Sequence, residues 1–292
     1  MRNLPRLLTV LIASALLLTA APSPTSALPL AARDGADLPA KGTMRVGIFS
    51  PLTWVVLPNL ELETHPLVTL LAPHLTARYR KGTLGPARLT WEGGLSLPTP
   101  GLHLAPPGLA GYIMPSCLVA AAEPERGSAC EQGDHVLVVR GGMLASFGEG
   151  DVTTVRLDGA YGVLLGSLRP RADDAWAPLS VLLAPVTRGS RLHAMVRRDH
   201  GLHERVRVAA ELHLWRLARV DEDPDDRSTL VFGAHLGVDV GIGSSTRLQL
   251  GALYTNIDNR ASEEEPIEGG FVKRVFVRSQ NVWPTVDVVW SF

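Results

Sequence analysis

The chain reads as all-β: a single antiparallel, up-and-down transmembrane β-barrel of about twelve strands, or about ten on a sparer count. Three observations carry that expectation. Segments of roughly ten residues alternate apolar with polar or small side chains along most of the chain, a period of two that gives each strand one greasy face. Residues 1–27 have the form of a secretory signal. No later apolar run escapes charge, proline or glycine for the ~20 residues a spanning helix takes. An exported chain that enters a bilayer without such helices has to satisfy its backbone in a closed barrel.

Taken in order, Arg2 and Arg6 precede an apolar run from Leu7 to Ala21, and Thr25-Ser26-Ala27 supplies the small residues a signal peptidase needs. The mature chain is expected to start at Leu28. Residues 28–42, rich in Ala, Pro and Asp, read as a periplasmic tether, and 43–292 as the barrel. Clear alternation runs through Arg88 to Leu97, His135 to Ser146, Val152 to Leu165, Arg205 to Val220, Leu230 to Ile242 and Thr246 to Ile257. In Val152 to Leu165, for example, Val155, Leu157, Tyr161 and Val163 oppose Arg156, Asp158 and Gly162. Weaker strands are read at Thr43 to Ser50, Val55 to Thr64, Leu67 to Tyr79, Tyr112 to Ala121 and Trp176 to Pro185.

Gly148-Glu149-Gly150-Asp151 and Gly243-Ser244-Ser245 are tight turns between antiparallel neighbours. Longer loops are expected at Pro98 to Leu109, Ala122 to Gly133, Asp221 to Ser228 and Asn259 to Gly270, the last two acidic. Thr187 to Glu204 sits badly, because the strand count asks for a short turn there and the segment is long. Within it His200-Gly-Leu-His203-Glu204 reads as a solvated loop rather than a metal fragment, since tight zinc needs a third protein ligand. Cys117 and Cys130 bracket a polar loop and in an oxidising compartment are expected to pair, contributing about 3 kcal/mol by restricting the unfolded chain.

The chain ends Asn281-Val-Trp-Pro-Thr-Val-Asp-Val-Val-Trp-Ser-Phe292, with Val282, Val286, Val288, Trp290 and Phe292 on one parity. This terminus resembles the closing strand of Gram-negative outer-membrane β-barrels, a porin-like superfamily within which no narrower family is indicated. The resemblance implies an outer-membrane location and an assembly signal at Val288, Trp290 and Phe292, read by the barrel-assembly machinery. It also implies membrane lipid against the apolar faces. The tryptophans, at or near strand ends, fit interfacial anchors. Trp215 lies on the polar parity of its strand and so tests that assignment.

If the apolar faces meet lipid, the lumen receives Glu61, Glu63, His74, Arg78, Arg88, Glu92, Arg156, Asp158, Arg207, Glu211, His213, His235, Asp239, Arg247 and Asp287. Acids and bases are near parity, so the set can lock into an ion-paired plug or line a narrow channel for small polar solutes. A formal net charge of −1 argues against nucleic acid as a partner. No cofactor or metal site is indicated. No Gly-x-Ser-x-Gly elbow occurs, and no serine neighbours a histidine on one strand face, so no catalytic residues are assigned. The reading is a non-enzymatic barrel, either channel or structural. Its rivals are a lipid-directed membrane enzyme and a soluble secreted β-sandwich.

Overall fold

The computed structural model describes residues 32, 35–65, 69, 72–98, 135–167, 177–218, 230–242, 245–267 and 271–292, with backbone alone at 177–180 and 257–279. Twelve strands form one closed antiparallel barrel in which every strand pairs with its sequence neighbours and the first pairs with the last. They are β1 (Met44–Gly47), β2 (Leu52–Leu57), β3 (Leu60–Thr64), β4 (His74–Leu84), β5 (Ala87–Ser96) and β6 (Val136–Phe147). The circuit continues through β7 (Val152–Leu164), β8 (Ser190–His203), β9 (Val206–Leu217), β10 (Leu230–Ile242), β11 (Thr246–Ile267) and β12 (Phe271–Ser291). Closure is made at β1 and β12, where Arg45, Val46 and Gly47 face Ser291, Trp290 and Val289. Met44 and Phe292 exchange backbone hydrogen bonds there. Closure covers the sheet edge at that end of β12.

The alternation seen in the sequence is the alternation of the wall. In β7, Leu157, Tyr161 and Val163 are exposed while Thr154, Asp158 and Gly162 are buried. In β10, Leu230, Leu236 and Ile242 are exposed while Val231, Gly233, Gly237 and Asp239 are buried. The exposed face carries Trp54, Tyr79, Trp91, Leu95, Leu192, Leu214, Leu250, Val282 and Val286, an apolar belt turned outward. Short turns at Pro58-Asn59, Gly85-Pro86, Gly148–Asp151 and Glu204-Arg205 share the end of the barrel at which β1 begins and β12 ends; the turn expected at Gly243-Ser244-Ser245 lies mostly outside the described residues. The long connections, between β5 and β6, β7 and β8, and β9 and β10, lie at the other end. No helix among the described residues is long and apolar enough to cross a membrane.

The strand count matches the expectation, but several members differ. Trp176 to Pro185, read as a strand, falls in helix α1 (Ala177–Thr187). Its residues are apolar without a polar parity, which suits a segment buried on several sides. Thr187 to Glu204, too long for the turn that the strand count asks for, supplies β8. Arg191, His193, Met195, Arg197 and Asp199 alternate there with Leu192, Ala194 and Val196, and the basic Arg198 at the strand end masks the period. Val55 to Thr64 is split by the Pro58-Asn59 turn into β2 and β3, and β4 begins at His74 rather than Leu67. The acidic loop at Asn259 to Gly270 is largely ladder, since β11 and β12 stay paired out to Ile267 and Phe271 with an irregularity between Asp258 and Ser262. Tyr112 to Ala121, the two cysteines, residues 1–31 and the loops at 99–134 and 219–229 lie outside the described residues; β5 pairs directly with β6.

Two segments of the chain occupy the barrel interior. Leu183 and Val186 of α1 pack on Val136, Val138 and Ala160 of β6 and β7. Val181 and Ala184 pack on Leu217 and Val231, with Trp215 against them. Burying a Val or Leu side chain in this way is worth about 1.5–3 kcal/mol. Gly162 on β7 makes the seat possible, because a Cβ there would overlap the Pro185 carbonyl oxygen. At the opposite end, Gly35 to Leu38 runs into the barrel mouth, and Ala36 has no exposed surface.

Replacing Gly162 by Val should unseat α1 without opening the barrel. The expected result is retained heat-modifiable migration in detergent gels, a loss of about 1–3 kcal/mol in urea unfolding, and new protease cleavage within residues 177–187. Unchanged protease resistance would place α1 elsewhere.

Candidate functional site: an ion-paired lumen

Inside a strand pair the side chains at i and i+2 share a face, and the register brings a partner strand's residue opposite them. Three buried clusters follow from that rule. In the first, Glu61, with no exposed surface, accepts from Arg45 Nη2 and Arg78 Nη1, each at 2.8 Å. In the second, Arg156 lies between Glu92 Oε1 (2.6 Å) and Asp158 Oδ2 (3.0 Å), with Arg140 3.6 Å from Glu92 and Arg191 3.8 Å from Asp158. In the third, Arg197 grips both oxygens of Asp199 at 2.7 and 2.9 Å and reaches Glu211 Oε1 at 3.0 Å. Arg207 adds a 3.6 Å contact to Asp199 and donates to the Gly150 carbonyl. Two-oxygen contacts of the Arg197 kind are the strong, geometrically selective ones.

Asp239 pairs with Arg247 at 3.3 Å. Asp287 uses no cation: its carboxylate accepts the backbone N–H groups of Ile48, Phe49, Ser50 and Val288 and thereby pins the β1–β2 turn. Glu63 shares the buried parity of Glu61, between Thr53 and Thr76. His74 sits at the start of β4, accepting from the His65 amide rather than facing the clusters. Arg88 lies at the turn end and holds Asp37 of the entering segment at 2.7 Å.

A second network crosses five strands at one level. His193 Nδ1 donates to Asp158 Oδ2 (2.7 Å), His193 Nε2 meets His213 Nδ1 (3.1 Å), and His213 Nε2 donates to Glu211 Oε2 (3.1 Å). His235 Nδ1 lies 3.5 Å from Glu211 Oε1, and its Nε2 meets Thr285 Oγ1 at 3.0 Å. Gly251 leaves room for that last contact, since a Cβ there would sit 2.7 Å from His235 Nε2 and 2.8 Å from Thr285 Oγ1. Trp215 lies parallel to both imidazoles of the pair, 5.0 Å from each ring centre. It is therefore a lumen residue and not an interfacial anchor. A cavity of about 390 Å³ opens beside this network, lined among others by Glu211, His213, Trp215, His235, Asp239 and Asp287.

The Thr285–His235–Glu211 series has the residue types of a hydrolase triad but not its geometry. Glu211 Oε1 is engaged by Arg197 at 3.0 Å and stands 3.5 Å from the imidazole it would have to orient. Among the described residues no three of His, Cys, Asp and Glu are placed to hold a metal ion. At the turn end, His200, expected as a solvated loop residue, is buried and contacts Asp151 Oδ2 at 2.7 Å, with Arg198 at 3.4 Å. Burial opposes ionisation of Asp151, but the His200 and Gly201 hydrogen bonds outweigh it and hold the carboxyl below its ordinary range.

Arg45, Arg140, Arg191, His193, Arg197 and Asp199 were not among the sequence candidates. Four of them lie in β8, so recognising that strand's odd-numbered residues as one face would have found them.

Twelve antiparallel strands closed on themselves, apolar outward and charged inward, define a transmembrane β-barrel. Among solved structures the chain is similar to outer-membrane expressed OmpT of Vibrio cholerae, at 10% identity and a TM-score of 0.42, covering 83% of this chain and 64% of that one. An in-vitro folded OmpT, an outer membrane protein of Vibrio cholerae, gives 9% identity, a TM-score of 0.37 and coverages of 83% and 63%. The chain thus spans slightly less than two thirds of those structures' length. No protein-family model and no curated protein matches it.

Glu61→Gln should cost about 3–5 kcal/mol in urea unfolding, because it leaves two arginines facing each other across a buried site. Asp37→Ala removes a half-exposed mouth pair and should cost under about 1 kcal/mol. Equal effects of the two would mean that solvent screens the lumen throughout.

Proposed function

We propose that this chain is an outer-membrane barrel whose lumen is shut by its own residues in the resting state. It acts without catalysis, as a barrel structure that passes small polar solutes only when that closure is relieved. The observation that carries this reading is the seat of Ala36. Its N–H donates to Ser146 Oγ at 2.7 Å and its carbonyl accepts from Thr90 Oγ1 at 2.6 Å. Gly35 O accepts from Arg78. Segment 35–38 is thereby tied to β4, β5 and β6 inside the turn-end mouth, while α1 occupies the loop end. Ion pairs line the lumen between these two segments, which favours a closed resting path.

The outward belt of exposed Leu, Val, Trp and Tyr suits lipid as its surroundings. Phe292, tied to β1, suits the assembly machinery as the reader of the closing strand. The cavity beside Glu211 and Asp239 is the space available to a solute.

Planar-bilayer recording of the purified protein tests this reading. The expected result is little or no steady conductance from the wild type, and a several-fold larger, steady conductance from a variant that lacks residues 28–41 and carries Gly162→Val to unseat α1. Large steady conductance from the wild type, unchanged in that variant, would make the chain an open pore and overturn the proposal.

A further inference from the structure

The hydrogen bonds of the histidine pair fix its proton count. His193 Nδ1 faces the Asp158 carboxylate and His213 Nε2 faces the Glu211 carboxylate. An ionised carboxylate only accepts, so both of these nitrogens carry hydrogen. The two remaining nitrogens face each other at 3.1 Å, a hydrogen bond only if one of them is also protonated. The ring planes differ by 10° with centres 5.4 Å apart, the arrangement of an in-plane N–H···N bond. Counted as a hydrogen bond, this contact gives the two rings three N–H protons and one positive charge.

Groups of both signs surround that charge. From β7 the pair meets Asp158, with Arg156 behind it; from β8 Arg191 and Arg197; from β9 Glu211; from β10 His235. Glu92 of β5 and Arg140 of β6 form the next layer, Thr285 of β12 is neutral, and α1 contributes no charged side chain. Trp215 covers both imidazoles with a parallel indole face, which attracts a cation. The same indole packs into the cluster holding Val181 and Ala184 of α1.

We propose that His193 and His213 form a one-proton lock whose charged state holds α1 inside the barrel. Removing the shared proton sets two lone pairs against each other across 3.1 Å, so the rings part, and Trp215, stacked on both, shifts beneath α1. The seated state binds one proton more than the released state, so falling pH favours seating and rising pH favours release. This inference rests on the reading that α1 closes the loop end, and it adds what governs that closure.

The test reads the helix directly instead of current. In full-length protein with Cys117 and Cys130 replaced by serine, single cysteines are placed at Leu183, buried against the wall, or at Leu182, exposed on the same helix. Maleimide labelling rates are measured in detergent from about pH 5 to about pH 8.5, spanning the ordinary histidine range. The ratio of the Leu183→Cys rate to the Leu182→Cys rate cancels the intrinsic pH dependence of the thiol. It should rise about tenfold with the slope of a single proton, and His213→Gln should give the raised ratio already at the acid end. A ratio flat with pH, or one that still follows pH in the His213→Gln background, would overturn the lock. Heat-modifiable migration of each variant establishes that the barrel is folded. An opened variant, lacking residues 28–41 with Gly162→Val, that stays silent while the wild-type ratio follows pH would retain the lock and reject conduction, so the two readings fail separately.

Discussion

A charge enclosed by a closed barrel cannot turn to bulk water, so it persists only beside a counter-charge or a set of hydrogen-bond donors. Everything inside this molecule follows from that constraint. Arg197 is nearly inaccessible and tolerable because Asp199 lies two residues away on its own strand and Glu211 faces it from β9. Arg78, equally enclosed, meets Glu61 because β3 and β4 pair in that register. Sliding one strand by a single residue would turn every such group onto the apolar belt. The charges therefore specify the register as firmly as the greasy face does, although pairs of this kind add little net stability over an apolar filling.

The same constraint explains how the two interior segments are held. The turn-end mouth presents hydroxyls and guanidinium groups, and the entering strand of backbone at residues 35–37 satisfies them through its own carbonyls and amide. The loop end presents Val136, Val138, Ala160, Leu217 and Val231, an apolar ring inside an otherwise polar lumen. Only an apolar helix fits there, and α1 has no charged residue. Between the two, the histidine network joins the ion-paired wall to the apolar seat through Trp215. The electrostatic and the hydrophobic parts of the lumen thus share one residue, and a change of a single proton has a route to the packing of a helix.

Much of the wall was legible from residues alone, because alternation at a period of two is a local consequence of the extended backbone. Val152 to Leu165 and Leu230 to Ile242 show it plainly, and Asp158, His235 and Asp239 lie on the faces opposite their exposed apolar residues. Where reading failed, local pattern and tertiary environment disagreed. The run around Val181 to Val186 is as apolar as a strand face, but it is apolar all round, and burial inside the barrel selects helix. Arg191 to Asp199 alternates, yet its basic residues give it the composition of a loop; the acids of β7 and β9 that neutralise them lie outside the segment. Trp215 looks misplaced on a polar face because its aromatic neighbours, His193 and His213, come from a segment that the local pattern leaves unassigned and from the same polar face.

By itself the amino-acid sequence determined the class of secondary structure, the direction of each apolar face, the closing strand at Phe292 and the near balance of acids and bases facing inward. These are properties of short segments and of composition, and they need no knowledge of what lies across the barrel. The tertiary structure alone decided which acid meets which base, that Asp287 is held by amides rather than by a cation, and that Ala36 and α1 sit inside. Those outcomes depend on strand offset around a closed circuit, where residues as far apart as Ile48 and Asp287 become neighbours. Register summed over twelve strands is not a local quantity, and only closure sets it.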